Sequence, residues 1–183
     1  MNYDDFLLHR GGDPLRGTLW AHYQQVASYF SSQLGYALQV VRVCEGGACW
    51  WLSGPCITIP FDKNDCGAIF HEATHDLFHH SVFHPGHNSA NKFPPGHEED
   101  AAYNEGWGEG FCEAVRWLME STYLPGSAWL SKWPTEVKTD WRKQRVERIL
   151  SYTGHSLVQF AAGWNNLVAG YDGTADYLNR SIP

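Results

Sequence analysis

His71, Glu72 and His75 are the residues of this chain whose types and spacing most directly do chemistry. Two histidines four apart on a helix lie on one face, about one turn from each other. Two imidazoles placed in that way can share one tetrahedral ion, and zinc is the ion that suits them. Glu72 follows the first histidine directly and reaches a coordinated water without itself being a ligand. Zinc lowers the pKa of such a water toward about 7, and a neighbouring carboxylate takes its proton. The product is a nucleophile aimed at a carbonyl carbon, so the H-E-x-x-H pattern has a role for each of its specified positions.

A catalytic zinc site needs one more protein donor. The metzincin arrangement would require glycine at position 78 and histidine at 81, where the chain has Phe78 and Ser81. His79 would lie about 12 Å along the helix axis from His71, too far to share an ion with both histidines. His79 and His80 are therefore read as neighbours of the site or surface groups. The other arrangement takes a glutamate from a second helix, and Tyr103-Asn104-Glu105-Gly106-Trp107-Gly108-Glu109-Gly110-Phe111 offers one. This stretch resembles the glutamate helix of gluzincins, the zinc metallopeptidases that combine H-E-x-x-H with a downstream Glu. The Asn104-Glu105-Gly106 step is similar to the N-E-G of that clan's aminopeptidases. The segment between His75 and Glu105 is longer than theirs, so that subfamily is not implied.

The resemblance covers roughly residues 65–120. It implies a zincin-like α+β domain and a zinc-dependent hydrolase of peptide bonds, with Glu72 as the catalytic base. It makes His71, His75 and Glu105 the zinc ligands. Glu109, one turn further on, would hydrogen-bond a zinc-bound histidine and fix its tautomer. The reverse assignment, with Glu109 as the ligand and Glu105 as a face charge, stays open. Gluzincins often stabilise the oxyanion with a Tyr or His that follows the ligands. His155 is the first choice for that catalytic role, ahead of Tyr152 and Tyr171. The strand Ile57–Phe61 would be the edge strand over the cleft, to which a peptide or protein substrate adds by backbone hydrogen bonds.

Two other functions fit parts of the pattern. Two histidines and a carboxylate can hold Fe(II) in an oxygenase. A zinc-binding scaffold without turnover could keep the ligands, although it would have no need of Glu72. Cys112 reads as a small buried residue rather than a ligand. His84, His87 and His97 read as parts of a polar loop rather than a second metal site.

The elements that must position these residues follow from periodicity. Leu15, Leu19, Tyr23, Val26, Ala27, Phe30 and Leu34 recur at three- and four-residue intervals, an amphipathic helix ended near Gly35. Leu38 to Val43 reads as a strand, Gly46-Gly47 as a turn, Cys49 to Leu52 as a strand pairing back, and Ile57 to Phe61 as a strand that Pro60 confines to an edge or its own end. Asp65 is the expected N-cap of a helix running to about His80. A Pro- and Gly-marked loop follows, then a helix from Glu98 to about Thr122 whose first turn carries acids that suit its dipole. Helices over 135–152 and 155–169 complete the chain. The fold expected is a single domain over 1–183, with a small mixed or antiparallel sheet on its N-terminal side.

Bulk properties narrow the partners. The 183 residues are 43% hydrophobic and 18% charged, with a formal net charge of -7, so a nucleic-acid surface is not expected. No run approaches the 18 or so apolar residues of a membrane span, and the first 30 residues do not form a signal peptide. Nine Trp residues suit core and cleft packing. Four of the five cysteines fall within a short stretch, without the paired spacing of a zinc knuckle. Bridges Cys44–Cys49, across a hairpin, and Cys56–Cys66 are compatible with them and lean toward a secreted protein. Oligomeric state has no signature in the sequence.

Overall fold

A computed structural model describes residues 16–40, 42–46, 49–51, 56–59, 65–80, 101–139, 144, 147, 150–151 and 156–160. Helix α1 spans Arg16–Leu34. Its buried face is Leu19, Tyr23, Val26 and Phe30, the three- and four-residue spacing read from the sequence. Gly35 ends it with φ at 65°, and the Gly35 N–H donates to the Ser31 carbonyl at 3.0 Å, a left-handed C-cap.

Three short strands follow: β1 (Arg42–Glu45), β2 (Cys49–Trp51) and β3 (Cys56–Ile59). Their spatial order is β1-β3-β2, with β1 parallel and β2 antiparallel to β3. The sheet is thus mixed, and its first pair is not antiparallel. This corrects two expectations. The strand read at 57–61 is the central one rather than an edge, because β1 and β2 do not pair with each other. Strand β3 is inserted between them, and Ile57 and Ile59, both fully buried, carry its hydrophobic contribution. The first strand also starts at Arg42 rather than Leu38, since residues 35–40 are spent crossing from α1.

The same insertion rules out the Cys44–Cys49 bridge. Cys44 and Cys49 register with Thr58 from opposite sides. Their backbones therefore stand two strand spacings, about 9.5 Å, apart. A disulfide needs Cα atoms within about 7 Å. Cys44, Cys56 and Cys66 are all thiols. The Cys66 sulfur lies 3.6 Å from Nε2 of His22 on α1, and His22 Nδ1 is 2.8 Å from Gln25 Oε1. Burial, then the Glu120 charge, push the Cys66 thiol above its ordinary pKa.

Helix α2 spans Ala68–His80 and α3 spans Ala101–Tyr123. Neither is long and apolar enough to cross a membrane, nor is any other described helix. They pack through Ile69, Phe70, Ala73 and Leu77 on α2 and Phe111, Ala114, Val115, Leu118 and Met119 on α3, which share one core with α1 and the sheet. Asp65 does not act as the side-chain cap expected of it. Its backbone carbonyl accepts from the Ala68 N–H at 2.9 Å, while its carboxylate takes the Arg116 guanidinium. Arg116 also donates through Nε to Glu120 at 2.6 Å. Ser127 donates to the other oxygen of Glu120 and caps α4 (Ala128–Glu136), accepting from the Leu130 N–H. Gly67 sits against this group, where a Cβ would overlap the Glu120 carboxylate, so only glycine lets the start of α2 come this close.

Helix α4 lies where the sequence suggested a connection, and Trp133 on it is buried. Its ring packs on Trp129, which in turn stacks with the Arg116 guanidinium at 4.3 Å. Residues 157–160 are helical, with Leu157 and Phe160 in the core. The helix expected from 135 does not start there: residues 135 and 136 end α4 and 137–139 form a turn, while 144, 147, 150 and 151 are helical. The rest of 135–152, the remainder of the helix over 155–169, and the acids at 98–100 lie outside the described residues.

Arg116 and Glu120 are 8% and 1% exposed at their side chains, so removing the guanidinium leaves the Glu120 carboxylate buried without its cation. Arg116→Met is expected to lose about 3–5 kcal/mol of unfolding free energy in urea titration. A loss below about 1 kcal/mol would show that the pair does not hold the helices.

Candidate metal centre

Helix α2 carries the H-E-x-x-H residues on a face that is largely closed to solvent: His71 and Glu72 are buried, and His75 is half-buried. The helix forms here because Ala68, Ile69, Phe70, Ala73 and Leu77 supply a hydrophobic face; the buried hydroxyl of Thr74, a poor helix former, is satisfied by the Phe70 carbonyl at 2.6 Å. Asp76, two residues further on, ties the helix to the chain that leaves α1. Its Oδ2 accepts from the Tyr36 hydroxyl at 2.9 Å and from the Gln39 N–H at 2.8 Å. Burial and the Asp76 charge hold the Tyr36 phenol far above its ordinary pKa, so this tie keeps its proton until strongly alkaline pH.

The two imidazoles converge. Nε2 of His71 and Nε2 of His75 are 3.2 Å apart, with ring centroids at 5.0 Å in an edge arrangement. Two nitrogens each about 2.0–2.1 Å from one tetrahedral ion are separated by about 3.3 Å, so the spacing fits a shared zinc ion. Among the described residues, the third donor within reach is Cys112 of α3, which is fully buried. The two histidine nitrogens and the Cys112 sulfur all lie within 4.8 Å of one another, a group that could hold a metal ion. Chemically it offers two borderline imidazoles and one soft thiolate, a set that suits zinc better than magnesium, calcium or manganese.

Sequence reading found the histidine pair and missed Cys112 as its neighbour. A signal existed in the spacing. Positions 105, 109 and 112 fall on one face of a 3.6-residue helix, so a face turned to the histidines at 105 or 109 also brings 112 there. Glu105 and Glu109 belong to α3, but their side chains lie outside the described residues, as do His155, Tyr152 and Tyr171 altogether.

Comparison of the chain with family models, curated proteins and solved structures finds no match.

Metal-free protein is expected to take up one zinc per chain. His71→Ala or His75→Ala should weaken that uptake by more than the roughly 10–100-fold typical of losing an outer partner. Competition against a chromogenic chelator measures this directly; unchanged affinity in either variant would remove that histidine from the centre.

Proposed function

We propose that this protein hydrolyses peptide bonds at a zinc centre built on α2 and α3, with Glu72 as the base. The observation that carries the reading is the 3.2 Å approach of the two Nε2 atoms with a buried carboxylate, Glu72, next to one of them in sequence. A site serving stability alone has use for the histidines but none for a buried acid at that place. The soft donor beside the pair also favours zinc over the Fe(II) of an oxygenase.

When bound, zinc supplies Lewis-acid polarisation and acidifies a water toward neutral pH. The work left to the chain is orientation and proton transfer. Glu72, on the helix that carries both histidines, takes the proton of the attacking water and returns it to the leaving amine. Its burial keeps competing water away and strengthens its interaction with the reacting groups.

For the carboxylate ligand, the register of the helices favours Glu109 over Glu105. The start of α2 meets Arg116 and Glu120, and His71 and His75 meet Cys112, so α3 runs antiparallel to α2. Position 109 is about 4.5 Å from 112 along the axis, whereas 105 is about 10.5 Å away. With Glu109 as ligand, Glu113 one turn beyond it is half-buried and becomes the acid available to orient a histidine. An oxyanion donor is drawn from His155, Tyr152 or Tyr171, in that order.

Glu72→Gln is expected to keep zinc and lose cleavage of a mixed peptide library by at least about 100-fold. Full activity in that variant would end the assignment of the base. Glu109→Ala should weaken zinc binding more than Glu105→Ala does, by competition against a chromogenic chelator; the opposite order would return the ligand role to Glu105.

A further inference from the structure

Cys112 is a donor that a hydrolytic centre of two histidines and a carboxylate does not need. It stands on α3 with no exposed surface, and its sulfur is within 4.8 Å of both histidine nitrogens. In a tetrahedral zinc site with zinc–sulfur near 2.3 Å and zinc–nitrogen near 2.0 Å, sulfur and nitrogen are separated by about 3.5 Å. A movement on the order of 1 Å therefore takes the sulfur into the coordination sphere. Small rotamer and helix adjustments of that size are ordinary for a side chain on a packed helix.

We propose that Cys112 binds the ion as a thiolate and closes the centre at rest. This rests on the zinc-hydrolase reading above. With His71, His75 and an α3 carboxylate, Cys112 makes four protein donors, the number that characterises closed sites; a reacting site keeps one position for water or substrate. On binding, the thiol loses its proton to solvent and a metal–sulfur bond forms, with no change of oxidation state. Turnover then requires that bond to break: the Cys112 sulfur takes a proton back from solvent and withdraws among the α3 side chains, and water or substrate fills the position it leaves beside Glu72. The arrangement makes the centre latent by an internal ligand from the helix that also carries the proposed carboxylate ligand.

Cobalt-substituted protein tests this without reference to catalysis. The wild type is expected to show a near-ultraviolet sulfur-to-cobalt charge-transfer band, and its visible spectrum should not respond to acetohydroxamate, a bidentate ligand for an open position. Cys112→Ala should keep one cobalt per chain, lack the band and shift its visible spectrum when acetohydroxamate is added. Cys112→Ser, checked for native circular dichroism, serves if the alanine variant does not fold. Absence of the band in the wild type, or an equal response of wild type and variant to acetohydroxamate, would overturn the proposal. So would loss of the metal from both folded variants, because Cys112 would then be an indispensable ligand. If the spectra behave as expected and neither protein cleaves peptides, the hydrolase reading fails and the closed centre stands.

Discussion

Arg116 donates to Glu120 on its own helix and to Asp65 just ahead of α2, from a nearly closed position. A buried guanidinium is costly unless its donors are matched, and here carboxylates from two elements match it. The consequence is geometric. Glu120 presses against Gly67, Ser127 takes the second oxygen of Glu120, and the first turn of α2 is pinned against the second half of α3. From that pinned end, two turns of helix bring His71 and His75 level with Cys112. Ion pairs of this kind add little net stability, but they select one register among those a hydrophobic helix pair would allow. A metal centre made from two helices needs that selection, because one residue of slip turns a donor away from its partners.

The second constraint comes from the other side of α2. Asp76 binds the Tyr36 hydroxyl and the Gln39 amide, so the chain leaving α1 is tied to the helix that carries the histidines. Helix α1, held to the core by Leu19, Tyr23, Val26 and Phe30, thereby fixes the rotation of α2 about its axis. Arg116 sets the position along the axis and Asp76 sets the rotation. Between them they leave the Nε2 atoms facing one point.

The helices were legible because their signals are local. The spacing of Leu19, Tyr23, Val26 and Phe30 and the glycine at 35 place α1 and its end at Leu34, and the described part of α2 reaches His80. The histidine pair and Glu72 were legible for the same reason, since four-residue spacing on a helix fixes their face. What was not legible depends on contacts distant in sequence. Nothing near Ile57 says that its strand lies between β1 and β2, because an alternation pattern does not name its partners. Asp65 resembles a cap until the arginine 51 residues later claims its carboxylate. Cys112 has the composition of a small core residue, and only the packing of α3 on α2 turns it toward the histidines.

The central claim is that α2 and α3 hold one zinc ion through the two imidazoles that the Arg116 and Asp76 ties align. X-ray absorption at the zinc edge of the purified, zinc-loaded protein tests it most directly, since outer-shell scattering counts imidazole rings. The account predicts two imidazoles with zinc–nitrogen distances of about 2.0–2.1 Å, together with a sulfur near 2.3 Å. A spectrum with no imidazole scattering, or with light oxygen ligands alone, would contradict it.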